Sequence, residues 1–260
     1  MEKESHTTRA KTGVPEHIEI EKLTMLQFLS QASKKFPTRQ ALQFMGRNIS
    51  FAELEKLVHC FASALVAIGV KKGDRVALLM PNIPQTVIAF YAVWEMGGIP
   101  VPNNPLYTDK ELEHQLNDSG STTIVALDLF FPRLQALRSK TSLKNIVVAH
   151  INDYLPFPLK QVFPFVKKGM YLKYQRRPDC YQFLDLVKMG SPDFASTSLE
   201  WDGVATIFYT GGTTGKSKGV VMSHAGISSM AMVLQARCPK NMSLLSSFRS
   251  RPLEKFSGGN

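Results

Sequence analysis

Residues 75–101 read RVALLMPNIPQTVIAFYAVWEMGGIPV, and this stretch decides the fold. Arg75 to Met80 is a nearly unbroken apolar run between the turn Lys71-Lys72-Gly73-Asp74 and Pro81. A short apolar run bounded by turn residues predicts a strand buried on both faces, as in a parallel sheet. A helix is expected from about Ile83 to Met96, stopped by Gly97-Gly98, with a new strand over Ile99 to Val101. The same alternation continues outward, with a helix over Asp109 to Ser119 and a strand over Thr123 to Leu127. A basic helix near Phe131 to Ser139 and a strand over Asn145 to Ala149 complete the run. Strand–helix–strand units at this spacing predict a doubly wound α/β domain.

Upstream, Thr24 to Phe36 has helical apolar spacing, with Thr24 as its cap and Pro37 as its stop. A short strand, Ala41 to Phe44, is expected to turn at Met45-Gly46-Arg47-Asn48. Ser50 and Glu53 have capping-box spacing for a helix that ends at Gly69.

The chain has 260 residues, 44% of them hydrophobic and 20% charged. At roughly 100–200 residues per domain that is one large or two modest domains of ordinary globular composition. The three cysteines, Cys60, Cys180 and Cys238, are widely spaced, which argues against a zinc module or a disulfide framework and fits a reducing, cytoplasmic setting. The first twenty residues are polar, so a secretory leader is not expected, and residues 1–22 read as a polar lead-in. The apolar stretch Val87 to Val101 is broken by Glu95 and Gly97-Gly98, and falls short of the roughly 20 residues a bilayer span needs.

The net charge of +10 is localised. Six bases (Lys160, Lys167, Lys168, Lys173, Arg176, Arg177) and no acid lie between Tyr154 and Arg177. Arg237 to Asn260 holds five more bases against Glu254. Neither segment has recognition-helix or zinc-ligand spacing, so no nucleic-acid partner is expected. In the first segment Leu155, Phe157, Leu159, Val162, Phe163, Phe165 and Val166 alternate with lysines, and Pro156, Pro158 and Pro164 forbid one long helix. Two readings stay open for 154–177: a peripheral contact with the inner membrane face, or a loop packed on its own domain with solvated lysines.

The chemistry concentrates in Tyr209, Thr210, Gly211, Gly212, Thr213, Thr214, Gly215, Lys216, Ser217, Lys218 and Gly219. The glycines let the backbone turn inward and aim several N–H groups at one anion. Threonine hydroxyls and two ammonium groups add donors, which suits a polyphosphate; the competing reading is a glycine-rich hairpin exposing lysines. A Walker A loop requires a glycine where Thr210 stands, and a helix directly after the Lys-Ser pair. Here a β-type run, Val220-Val221-Met222, follows, and Ser223 caps a later helix over Ala225 to Gln235.

Residues 209–224, YTGGTTGKSKGVVMSH, instead resemble the phosphate-loop signature of the adenylate-forming (AMP-binding) superfamily, with Ser217 where many members have proline. Residues 79–112 are similar to that family's early core motif. The Gly212 form of the loop, the NPLYT run at 104–108 and the LPFPLK stretch at 155–160 resemble its long-chain fatty acid–CoA ligase branch. The resemblance spans roughly residues 20–237.

It implies an adenylate-forming large-domain fold, truncated, with mostly parallel sheets flanked by helices. It also implies ATP, Mg2+ and CoA as cofactors and a fatty acid as substrate, activated through acyl-AMP to acyl-CoA. Thr210 to Gly215 would wrap the β- and γ-phosphates, with Thr213 and Thr214 as donors. Lys218 matches the family's fixed lysine, and Lys216 adds auxiliary charge. His224 is assigned a structural role in preference to a catalytic one, and no residue is assigned as catalytic or as a metal ligand. The family's downstream motifs, including Tyr-Gly-x-Thr-Glu and the C-terminal lysine domain, do not occur here. The expectation is therefore an incomplete ligase, inactive alone; the alternative is a non-catalytic nucleotide- or acyl-binding remnant or one half of a split enzyme. Residues 23–237 are read as the AMP-binding portion and 238–260 as an atypical, disordered tail, the mark of a truncated or frame-shifted product.

Overall fold

The computed structural model describes residues 18–174, 177–211 and 216–237, the Lys168 side chain excepted. The first seventeen residues of the lead-in, Arg176 and the tail 238–260 lie outside the described residues.

Helix α1 (Met25–Lys35) opens with the expected Thr24 cap. The Thr24 hydroxyl accepts from the Gln27 N–H, and the Gln27 side chain reaches back to the Thr24 N–H. Strands β1 (Gln40–Phe44) and β2 (Arg47–Ser50) form an antiparallel hairpin. The turn is shorter than the sequence predicts. Met45 and Gly46, with φ of 45° and 87°, make it alone, and Arg47 and Asn48 already belong to β2. Two consecutive left-handed residues match the twist of paired strands. In α2 (Phe51–Ala67) the Ser50 hydroxyl accepts from the Glu53 N–H. The Glu53 carboxylate does not return to the cap as expected; it pairs with Arg47, a charge-assisted contact that outcompetes a neutral one.

The centre is a five-stranded parallel sheet. Its strands are β3 (Arg75–Leu79), β4 (Ile99–Pro102), β5 (Thr123–Leu127), β6 (Asn145–Ala149) and β7 (Cys180–Gln182), in the order β4-β3-β5-β6-β7. The crossovers are α3 (Pro84–Glu95), α4 (Asp109–Ser119), α5 (Phe131–Leu137) and α6 (Leu159–Val166), with α7 (Phe183–Met189) following β7. The α/β class with parallel strands flanked by helices is thus as expected.

Strict alternation along the strands sorts the core into two clusters. Val76, Leu78, Val125, Leu127 and Val147 pack towards α2, α3 and α7, where Val58, Phe61, Ile88 and Phe183 are buried. Ala77, Leu79, Ile124, Ala126, Ile146 and Val148 pack towards α4 and α5 through Leu112, Leu116, Leu134 and Leu137. The sheet is therefore covered on both faces, which a parallel sheet requires.

Strand β7 and α7 carry no advance signal. Three residues are too few for an alternation pattern, and Gln182 gives α7 no side-chain cap. Helix α6 forms despite Pro164, whose missing N–H leaves the Lys160 carbonyl open; the Asn152 side chain donates to that carbonyl at 2.9 Å.

Beyond α7 the connector to the next strand is tied down by Glu95. This buried carboxylate lies 3.0 Å from His59 Nδ1 and accepts from the Ser196 hydroxyl, and the Glu95 carbonyl accepts from the Thr197 N–H. The bond to Glu95 outweighs burial and raises the His59 pKa above its usual value. A raised pKa means that the folded state holds its proton more tightly. The stabilisation is complete below pH 6.5 and is lost as pH climbs through the folded-state value. Urea midpoints are expected to fall as pH rises above about 6.5. His59→Gln should flatten that slope, as followed by circular dichroism.

Candidate functional site

Past the connector, β8 (Val204–Thr210) and β9 (Lys218–Ser223) form an antiparallel hairpin separate from the parallel sheet, and α8 (His224–Arg237) follows. The Ser223 hydroxyl accepts from the Gly226 N–H, the expected cap, although α8 starts one residue before and ends two after the predicted bounds. The hairpin pairs Thr210 with Lys218 and Tyr209 with Gly219. Residues 211–217 therefore leave and re-enter a single cross-strand pair. Gly212, Thr213, Thr214 and Gly215 lie outside the described residues; Gly211, Lys216 and Lys218 are exposed at the mouth of the loop. Among the described residues no carboxylate pairs with either ammonium. Ser217 is half-buried.

Strand β8 runs alongside β4, yet the two do not pair. The N–H groups of Ile99 and Asn103 point towards β3, donating to the Asp74 and Leu78 carbonyls. The alternate positions that face β8 are Pro100 and Pro102, which have no N–H to give. The hairpin is fastened by side chains instead. Trp94 Nε1 donates to the Ala205 carbonyl at 2.7 Å, and the Thr206 hydroxyl donates to the Pro100 carbonyl at 2.8 Å. Trp94 also meets the rings of Phe90, Tyr91 and His224 edge-on. His224 is buried, its N–H donates to the Gly203 carbonyl, and burial lowers its pKa, so the ring is neutral packing against Trp94.

The returning limb of the loop rests on α4. His114 Nε2 lies 2.9 Å from the Ser217 carbonyl oxygen, and Gln115 Nε2 donates to the Ser217 hydroxyl at 3.3 Å. Gln115 in turn accepts from the Asn103 side chain at 2.7 Å. The Tyr209 hydroxyl donates to Asp118 at 2.6 Å; burial, and then that carboxylate, push the phenol above its usual pKa, so it stays a neutral donor. The Tyr209 ring lies over Gly219, where a Cβ would come within 3.3 Å of it and within 2.9 Å of Ile207. A larger residue at 219 would force Ile207 aside and crowd the Tyr209 ring.

Tyr209 and Phe208 also line a cleft of about 480 Å3 with Met80, Asn82, Asn103, Leu106 and Tyr107. It opens beyond the carboxyl ends of β3 and β4, where open α/β sheets place their ligands. The buried Asn103 Oδ1 has no hydrogen-bond partner. Sequence reading found the loop but missed its supports Trp94, Asn103, His114, Gln115 and Asp118. None of these carries a local signal; the readable trace is the alternation of Pro100 and Pro102 in β4.

Residues 29–247 match the model of the family described as AMP-binding enzyme. The matched stretch runs past Arg237 into the residues that sequence alone set apart as a tail. The long-chain-fatty-acid–CoA ligase of Bacillus subtilis (strain 168) is 34% identical over 218 residues, covering 82% of this chain and 39% of the relative. The ligase of that name from Salmonella typhimurium is 34% identical over 222 residues, covering 83% and 39%. Among solved structures, a long-chain-fatty-acid–CoA ligase from Archaeoglobus fulgidus superposes with a TM-score of 0.68 at 27% identity, covering 84% of this chain and 40% of that one. The chain thus spans about 39% of the length of the curated relatives it matches.

The docking of the hairpin can be measured directly. Trp94→Phe leaves the Ala205 carbonyl buried without its donor, a loss of roughly 1–3 kcal/mol. Hydrogen exchange of the β8 and β9 amides is expected to accelerate by about tenfold or more, while β5 and β6 amides keep their protection.

Proposed function

This chain belongs to the AMP-binding enzyme family, and from that premise we propose that residues 209–219 cradle the phosphates of ATP for the activation of a fatty acid. The overall reaction in this reading condenses the fatty acid with ATP to acyl-AMP and pyrophosphate, then transfers the acyl group to the thiol of CoA. The observation that carries it is the Thr210–Lys218 pair at the base of the hairpin, with no carboxylate partner for Lys216 or Lys218 among the described residues and with Tyr209 at the adjoining cleft. Support comes also from the 34% identity to relatives named long-chain-fatty-acid–CoA ligase.

The residues fit a polyphosphate on chemical grounds. Fixed donors and ammonium groups at one point hold negative charge without reorganising, which is how a departing pyrophosphate is stabilised. Thr210 and the N–H groups of the glycine turn would hold the outer phosphates. Lys218, in register with Thr210, would neutralise their charge, and Lys216 would add to the local potential. Mg2+ would arrive with the nucleotide. Tyr209, locked by Asp118 and seated over Gly219, would separate the phosphate end from the mixed apolar and amide cleft, which suits the acyl or thiol partner.

Calorimetry with Mg-ATP on the 260-residue chain tests the cradle. Lys218→Ala is expected to weaken binding about tenfold or more, the worth of one charge-assisted contact, and Lys216→Ala to weaken it less. Absence of ATP binding by the unmodified, folded chain would defeat the proposal. ATP–pyrophosphate exchange dependent on a long-chain acid then separates two outcomes. Exchange assigns adenylation to this chain, and binding without exchange assigns it nucleotide holding alone.

A further inference from the structure

The region after β6 does something the nucleotide site does not need. Between 157 and 166 five large apolar side chains face solvent: Phe157 is 83% exposed, Phe165 76%, Val166 68%, Leu159 48% and Val162 44%. Single exposed hydrophobes are ordinary, but a contiguous group is not. On a helix of 3.6 residues per turn, positions 159, 162, 165 and 166 fall within an arc of about 120°. Phe163, at one margin of that arc, is buried in the main core and pins α6 to the body.

The mount is rigid at both ends. The fully buried Asp128 carboxylate, just after β5, accepts from the Leu129 N–H, the Leu172 N–H and His150 Nδ1, at 2.9, 2.6 and 2.7 Å. Tyr171 stacks on His150 at 4.6 Å, and Gln85 donates to the His150 carbonyl. Asn152 holds the α6 carbonyl that Pro164 leaves open. The Pro156 ring lies beside Gly46, next to which Met45 is another half-exposed apolar side chain. Segment 151–172 is therefore a fastened arm whose apolar face is held outward.

Its charge selects the partner. Lys160, Lys167, Lys173 and Arg177 belong to the same segment as the apolar arc, and 154–177 contains no acid. Among the described residues none of these four bases forms an ion pair. An exposed apolar arc on a segment whose only charges are positive suits the boundary between acyl chains and anionic headgroups, where an eight-residue helix can lie flat. No helix among the described residues is long and apolar enough to cross a membrane, so this contact would be peripheral.

We propose that α6 and the preceding Phe157 turn form a docking surface for a bilayer rich in anionic phospholipid. The surface projects from the carboxyl edge of the sheet, the edge at which the cleft opens. The proposal does not depend on the nucleotide reading, because vesicle binding requires neither ATP nor turnover.

The test is co-sedimentation of the 260-residue chain with phosphatidylcholine vesicles, with and without about 30 mol % phosphatidylglycerol. Phe157→Ser combined with Phe165→Ser, both at exposed positions, is compared with Met189→Ser, an exposed apolar site 77% accessible outside the arm. The unmodified chain should bind the anionic vesicles and be released by salt. The double variant should lose about tenfold in partition with its circular dichroism unchanged, and Met189→Ser should bind as the parent does. Replacing Lys160, Lys167 and Lys173 together by Glu should abolish the preference for anionic lipid. Undiminished binding by the double variant would overturn the proposal, as would absence of binding by the parent. A self-association removed by the same double variant, without vesicle binding, would assign the face to a second copy of the chain instead.

Discussion

The outer edge of β4 is the constraint on which the arrangement of the site depends. A parallel strand sends its N–H groups alternately to either side, and in β4 the positions turned away from β3 are Pro100 and Pro102, which have none. The edge can accept hydrogen bonds and cannot donate them. The strand beside it, β8, is left without a ladder and pairs with β9 instead. A hairpin that is not part of the sheet can project its turn past the sheet, which a sixth parallel strand held in register could not do. The two limbs that carry the loop therefore owe their position to side chains. Trp94 and Thr206 fasten one limb, and His114 and Gln115 fasten the other. Trp94 carries the larger share, because its indole is also packed among Phe90, Tyr91 and His224, and connects α3, the hairpin and α8 in one contact.

What could be read from the sequence was what local chemistry encodes. Helix α4 and strands β5 and β6 begin and end where predicted, since Thr108 with Glu111, the left-handed Gly120 and the apolar runs mark their limits residue by residue. The loop was legible because its glycines, threonines and lysines are contiguous. Its supports were not, because Trp94, His114, Gln115 and Asp118 act across 91 to 111 residues of chain and have an ordinary structural reading where they stand. His114 and Asp118 look like the polar side of an amphipathic helix, and Trp94 looks like core. Glu53 shows the same limit at short range. Its spacing from Ser50 fits a capping box, but the hairpin brings Arg47 close and the ion pair prevails. The segment 154–177 was ambiguous in sequence, since apolar and basic residues alternate with no period. The fold separates them by burying Phe163 and leaving its neighbours outside.

The polarity of the sheet explains why these features share one edge. All five strands run the same way, so the chain leaves β3, β4, β5 and β6 on the same side and returns through helices on the faces. The residues that follow those strands, Met80 to Asn82, Asn103 to Tyr107, Asp128 and His150 to Tyr154, meet there without any contact chosen for the purpose. The order of strand addition also reverses there, since β4 lies on one side of β3 and β5 on the other, which splits the crossovers and opens a crevice. Tyr209 brings the loop to the same cleft. On the far side, Asp128 closes β5, β6 and the returning chain at Leu172 into one unit. The hairpin, the adjoining cleft and an outward apolar arm thus arise from a single topological fact together with two local fastenings. Because the fastenings use different residues, Trp94 for the hairpin and Asp128 for the arm, each of the two surfaces can be altered while the other is left in place.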